Sequence, residues 1–352
     1  MPSWLRPLSL IVAALSVAGL AGWLAARLHL PLPWMLGPLF SVALLRVAGV
    51  PLLAPRGGRQ AGQWAIGTAL GLYFTPAVLA ELGRHTGAIV LMAASAVALG
   101  LVAARIIGRW GRVEATTAFF AGLPGGASEM VVLAEAHGGA TDRIAAAHAL
   151  RVMMVVSSIP FVIHAGPFEG HETFRALSSQ VDWLRFPLLL AASLGGVGVF
   201  LRLGIANAWV LGPLAVVGAL TAFSLPLSSL PAWLVNGGQL LLGTALGMRF
   251  SPAFFHAAPR FLAVSALSTS LVLALGAAFV GLLGLAVPIP FASLLLAASP
   301  GGMAEMSITA REMHLSVPLV TATHVLRVVL LTACAPLLFR AWLAWRQQPP
   351  SA

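Results

Sequence analysis

Two glutamates, two histidines and two arginines stand in apolar surroundings where a membrane helix would want none of them. "AGLPGGASEM" (Ala121 to Met130) carries Glu129 and "ASPGGMAEM" (Ala298 to Met306) carries Glu305, each just after a Pro-Gly-Gly. "HALRV" from His148 carries Arg151, and "HVLRV" from His324 carries Arg327. A carboxylate in the first turn of a helix complements the helix dipole, and in transporters an intramembrane carboxylate exchanges a proton or coordinates a cation. Glu129 and Glu305, with His148 and His324, are therefore the candidates for ion or proton coupling. Each histidine precedes its arginine by three residues, so the two share a helix face. An arginine near the bilayer centre costs about 2.5 to 3.5 kcal/mol on the insertion scale, so these two with the two glutamates would cost on the order of 10 kcal/mol facing lipid. They must face inward. Two arrangements are open: ion pairs Glu129–Arg151 and Glu305–Arg327, or arginines that hold a small anionic solute between two helix N-termini. In the second, the substrate-binding candidates are Gly125, Gly126, Ser128, Arg151, Gly301, Gly302 and Arg327.

The elements that position these residues are transmembrane helices. Hydrophobic residues make up 59% of the 352 and charged residues only 9%, against about 25% charged in soluble domains. Apolar stretches such as Leu8 to Ala26, Thr86 to Ala104, Ile144 to Val162 and Phe261 to Ala286 have about the 20-residue length that spans the hydrocarbon. All 20 basic residues are arginines scattered between these stretches, so the net charge of +10 reads as positive-inside anchoring rather than a nucleic-acid face. Cys334 is alone in an apolar stretch, which supports neither a disulfide nor redox work.

The chain is written twice. "GQWAIGTALGLYFTPA" from Gly62 matches "GQLLLGTALGMRFSPA" from Gly238, the two Pro-Gly-Gly motifs match, and so do the two "HxLRV" motifs, each 176 residues apart (238 − 62, 300 − 124, 324 − 148). A fourth pair, "WMLGPL" at Trp34 and "WVLGPL" at Trp209, is shifted by 175. The organisation expected is a first membrane repeat over 1–163, a connection over 164–185, a second repeat over 186–345 and a tail over 346–352. Each half carries six apolar segments. In the first, arginines follow segment two (Arg46, Arg56, Arg59) and segment four (Arg105, Arg109, Arg112); in the second they follow segment one (Arg202) and segment three (Arg260). The positive-inside rule then orients the halves oppositely, which requires an odd number of crossings in each. The fifth segment, with its Pro-Gly-Gly, is the one that fails to cross as a continuous helix. The fold class expected is all-α and polytopic: two inverted repeats of five crossings with an interrupted fifth segment, or alternatively twelve crossings in parallel repeats. Both termini then lie in the cytoplasm.

Paired interruptions at corresponding places mark a binding site, because irregular backbone at membrane depth survives only where protein or water satisfies it. "GTALG" followed by Pro76 or Pro252 reads as close helix packing with a kink, and Gln63 and Gln239 supply polar groups nearby. At the repeated motifs the chain resembles the bacterial AbrB-type membrane family, whose members carry the same duplicated region and are often labelled "putative ammonia monooxygenase". The resemblance runs over nearly the whole chain and implies an inner-membrane protein. Its labels imply a role in regulation of gene expression or a metal-dependent monooxygenase. An oxygenase needs a copper or iron site, yet the nine histidines include no pair at i, i+4; His148 with His324 across a repeat axis is the one symmetric metal arrangement left. Direct control of transcription has no helix-turn-helix or basic soluble module to act through. The reading is a secondary transporter with no cofactor and no metal, its partners a small-molecule solute and membrane lipid, without nucleic acid. A homo-oligomer is left open.

The swapped arginine pattern makes a topological prediction. Cysteines placed at Gly57 and in the Ser228 loop, in a background lacking Cys334, react with an impermeant maleimide from opposite faces of the membrane. Labelling from the same face would remove the inverted-repeat topology.

Overall fold

The computed structural model describes residues 5–166, 180–225, 227–252, 254 and 258–347. Most of the connection expected over 164–185 and the last residues of the expected tail, 348–352, lie outside them. Every regular element among the described residues is a helix: α1 (Leu5–Arg27), α2 (Pro33–Val47), α3 (Gly58–Gly71), α4 (Pro76–Arg84), α5 (Thr86–Trp110), α6 (Ala115–Gly122), α7 (Ala127–Glu135), α8 (Thr141–Ala165), α9 (Phe186–Arg202), α10 (Ala208–Ala222), α11 (Ala232–Gly247), α12 (Pro259–Leu283), α13 (Phe291–Ala298), α14 (Met303–Glu312) and α15 (Val317–Gln347).

Five of these helices, α1, α5, α8, α12 and α15, are long and apolar enough to cross a membrane, and the bent pair α3 and α4 makes a sixth. The helices α2, α9 and α10 are apolar but only 15 to 17 residues long. At about 1.5 Å per residue they rise roughly 22 to 26 Å, less than the hydrocarbon thickness of about 30 Å. Large apolar side chains stand bare on several helices, Leu20 at 66% and Leu44 at 71% exposure among them, as lipid-facing surfaces require.

Proline sets the interruptions. The 86° bend between α3 and α4 falls just before Pro76, where Thr75 caps α4 through its side chain, accepting from the Val78 amide at 3.4 Å. Leu123 and Ser299 precede Pro124 and Pro300, and both are extended, with ψ of 130° and 143°. A residue before proline is driven out of the helical region, so α6 and α13 stop there. The stretches 123–126 and 299–302 are non-helical, and α7 and α14 begin directly after the glycines. Both α6 and α13 are eight residues long, and their first residues lie 176 apart (291 − 115).

The chain divides into two compact units, which do not follow the halves of the sequence. The first consists of Met1–His85, Pro160–Phe255 and Ser307–Pro318; the second of Thr86–Ile159, His256–Met306 and Leu319–Ala352. Each draws segments from both halves. In the first unit α1 packs on α2, α9 on α10, and α11 on both α2 and α3. The α9–α10 contact is backbone on backbone: a Cβ added at Gly196 would sit 2.5 Å from the Gly212 carbonyl oxygen, and one at Gly212 as close to that of Gly196. Small residues of this kind let membrane helices approach closely. Trp64 donates its indole N–H to Ser193 Oγ at 3.0 Å within the same unit. The second unit pairs α5 with α12, α5 with α6, and α12 with α13.

Two outcomes follow from these contacts. Gly196→Leu or Gly212→Leu forces α9 from α10 and lowers stability by about 1 to 3 kcal/mol, read as a fall in Tm of the detergent-solubilised protein. Ser228 is fully buried and its hydroxyl accepts from the Asp182 amide, so the label in that loop belongs on exposed Ser224 instead.

Candidate functional site

The two interrupted segments and the two His-Arg pairs all lie in the second unit. An α-helix leaves its last four carbonyls without intrahelical donors, and inside a membrane those oxygens need partners. At the end of α6 each has one. Phe119 O accepts from the Leu123 amide at 3.1 Å, and Phe120 O accepts from His148 Nε2 at 3.0 Å. Arg151 Nη1 donates to Ala121 O at 3.2 Å and Gly122 O at 3.1 Å, while Nη2 donates to Leu123 O at 3.1 Å. The guanidinium thus forks over the carboxyl end of the helix, where the dipole favours a cation.

The second copy uses the same pair of residue types with a shifted grip, the arginine holding the break rather than the last carbonyls of the helix. His324 Nε2 donates to Leu296 O at 3.0 Å, and Arg327 donates from Nη1 to Ser299 O and from Nη2 to Gly301 O, both at 2.6 Å. Phe120 and Leu296 are 176 residues apart, as are Leu123 and Ser299 (296 − 120, 299 − 123). Burial matches: His148, Arg151, His324 and Arg327 are all at most 6% exposed.

The histidine roles follow from their partners. A carbonyl only accepts and a guanidinium only donates. His148 therefore donates from Nε2 to Phe120 O and accepts at Nδ1 from Arg151 Nη2, 2.6 Å away, which fixes the neutral Nε2–H tautomer. In this arrangement the ring holds α8 to the end of α6 and presets the arginine. Both remaining nitrogens of the arginines, Arg151 Nε and Arg327 Nε, are buried without a hydrogen-bond partner.

Glu129 and Glu305 stand in the first turns of α7 and α14, where a carboxylate suits the positive end of the dipole. The Glu305 carboxylate lies directly over Gly302, so that an added Cβ there would collide with it. Gly125 and Gly301 are each closed over by a methionine, Met130 and Met306. Gly126 directly precedes α7, and Ser128, in its first turn, is exposed.

A cavity of about 20 Å³ opens against Arg151. Pro124 and Pro300 both line it, so the two interruptions face a shared space. The helix α12 contributes Ser265, Ser268 and Thr269 to its lining. These three hydroxyls are missed by reasoning from the repeated motifs, because the motif search keeps only what both halves share. The positions 176 residues earlier are Ile89, Met92 and Ala93. The available signal is the i, i+3, i+4 spacing of hydroxyls in "SALSTS" (Ser265 to Ser270) on an otherwise apolar helix. Gly100 of α5 floors the space: a Cβ there would meet Pro124 at 2.7 Å. No group of three or more His, Cys, Asp or Glu comes together among the described residues.

A family model for "Transition state regulatory protein AbrB" matches residues 34–343. The chain belongs to the AbrB family. The "Uncharacterized protein YhjN" of Bacillus subtilis (strain 168) is 26% identical over 355 residues, covering 93% of this chain and 91% of its own. The "Putative regulator AbrB" of Escherichia coli (strain K12) is 25% identical over 337 residues, covering 94% of this chain and 95% of its own. No solved structure matches the chain. The AbrB membership agrees with the resemblance carried by the repeated motifs.

The carbonyl fork separates the two arrangements that the sequence leaves open for Arg151. Arg151→Met strips the donors from Ala121, Gly122 and Leu123 and lowers stability by about 3 kcal/mol or more, at roughly 1 to 3 kcal/mol per orphaned buried acceptor. Arg151→Lys recovers only part of this, since one ammonium cannot reproduce a planar fork. Adding Glu129→Gln to Arg151→Met does not restore Tm. A double variant as stable as the parent would instead make the Glu129–Arg151 ion pair the dominant interaction.

Proposed function

We propose that this AbrB-family protein is a secondary transporter of a small anionic solute, which binds at the paired interruptions 123–126 and 299–302. One observation supports this most: Pro124 and Pro300, from corresponding places in the two halves, line one cavity beside the buried guanidinium of Arg151. Interrupted helices at matching positions are how membrane carriers bring free backbone groups to a solute at membrane depth. The free N–H groups of α7 and α14, with Gly125, Gly126, Gly301 and Gly302 beside them, supply the anion-binding backbone, and Ser128 is available at the start of α7. Glu129 and Glu305 exchange the coupling proton or cation, with His148 and His324 setting the arginines in place.

The topology that fits this reading has ten crossings in two inverted repeats: α1, α2, the α3–α4 pair, α5 and α8 in the first half, and α9, α10, α11, α12 and α15 in the second. The α6–α7 and α13–α14 segments then enter without crossing as continuous helices. The protein sits in the bacterial inner membrane with both termini in the cytoplasm, in keeping with the arginine pattern. The word "regulator" in the Escherichia coli relative's name supports a second reading, an effect on gene expression. Movement of a metabolite sensed by a separate regulator accounts for it without a DNA-binding module.

Two measurements together test the proposal. A thermal-stabilisation screen of organic and inorganic anions identifies the solute, because binding to the native state alone raises Tm. Uptake of that solute into proteoliposomes is then lost in Arg327→Gln and loses its pH dependence in Glu305→Gln. Unimpaired uptake in both Arg151→Gln and Arg327→Gln, with insertion confirmed, would remove the arginines from the solute site.

A further inference from the structure

We propose that the cavity between Arg151 and Ser265 is a subsite for one small monovalent anion, of the size of chloride or formate, present once per chain. The inference deepens the transporter reading but does not need transport to occur.

Two features point to an anion, and a third limits its size. First, the charge balance is one-sided: Arg151 lines the cavity, and no Asp or Glu does. A cation there would face an uncompensated guanidinium. Second, two buried hydrogen-bond donors lack acceptors. Arg151 has five N–H donors. Three of them go to Ala121 O, Gly122 O and Leu123 O and a fourth to His148 Nδ1, which leaves Nε–H, buried and without a partner. Ser265 is 3% exposed, and its hydroxyl likewise has no partner. Third, the space is small. About 20 Å³ holds a water-sized occupant or one compact ion.

The neighbouring hydroxyls refine the chemistry. Thr269 donates to Ser265 O at 2.9 Å, and Ser268 approaches Ala103 O at 3.5 Å. Their protons point to backbone, so they present lone pairs to the cavity, and Ser265 is the hydroxyl whose proton is available. A free inorganic anion and the charged end of an organic solute both fit this chemistry, and they are distinguished by the probes below. The sequence explains the single copy: the positions corresponding to Ser265, Ser268 and Thr269 in the first half are Ile89, Met92 and Ala93.

The test uses the full-length protein in detergent, with sodium chloride, sodium formate, sodium acetate and sodium gluconate at matched ionic strength. Chloride or formate gives a saturable rise in Tm that gluconate does not. Stabilisation by chloride marks a free-ion site, and stabilisation by formate and acetate alone marks a carboxylate headgroup site. Ser265→Ala folds with unchanged or slightly higher Tm in gluconate, since it removes an unsatisfied buried hydroxyl. It weakens the anion midpoint by about tenfold or more, the effect of losing one hydrogen bond to a charged ligand. Ser270→Ala, one residue beyond the triad and exposed, leaves the midpoint unchanged. Equal effects of all four salts, or an anion effect that survives Ser265→Ala, would overturn the proposal and leave the cavity to water. Loss of solute uptake with an intact anion midpoint would count against the transporter reading and not against the subsite.

Discussion

A helix that stops inside a membrane leaves carbonyl oxygens with no water to meet them, and the second unit is arranged around that problem. Each oxygen left bare in hydrocarbon costs several kcal/mol. The solution at α6 is to bring a histidine and an arginine, three residues apart on α8, against the last turn, so that Phe120, Ala121, Gly122 and Leu123 all find donors. After α13 the corresponding pair on α15 donates to Leu296 O in the helix and to Ser299 O and Gly301 O in the break. The apparent extravagance of burying arginine is therefore local compensation. The interruption creates the need, and the cation sits where the carbonyl dipoles are most negative.

That arrangement frees the other side of each interruption. Because Arg151 caps the carboxyl end of α6 and Arg327 binds carbonyls of the break after α13, the amino ends of α7 and α14 are not used by the arginines. Glu129 and Glu305 occupy the first turns there, so each break carries a cation at one lip and a carboxylate at the other. In the proposed carrier, this pair of opposite charges lets charge enter or leave the site without leaving a bare ion.

The interruptions were legible in the sequence because Pro-Gly-Gly and "HxLRV" recur at one spacing, and repetition lifts a short motif out of an apolar background. Helix ends followed from the residue before proline, as at Leu123 and Ser299. The partner of the arginines was not legible. Charge alone suggests a carboxylate, whereas the guanidiniums also donate to backbone carbonyls, which have no letter in a sequence. The wall at Ser265, Ser268 and Thr269 was hidden for the converse reason: it belongs to one half only, and comparison of halves discards it. The grouping of segments into two compact units was equally invisible, since each unit draws its helices from both halves.

Arginine, rather than lysine, reconciles the scaffold with the site. An ammonium has three donors at one point, and a cap over a helix end would use all of them. A guanidinium divides its five donors between two directions. The Nη1 and Nη2 groups of Arg151 close the end of α6 and meet His148, while Nε–H remains on the other edge of the same rigid plane. The fork fixes that plane, so the remaining donor is held in position before any solute arrives and little side-chain freedom is lost on binding. In the proposed subsite, structural cap and ligand contact are two edges of one group, and any force that breaks the cap also misaims the contact. As proposed, anion affinity is therefore coupled to the integrity of the first interruption through Arg151. The positions on α5 that correspond to Ser265, Ser268 and Thr269 are Ile89, Met92 and Ala93, so the repeat shares the His-Arg scaffold and only α12 carries the hydroxyls.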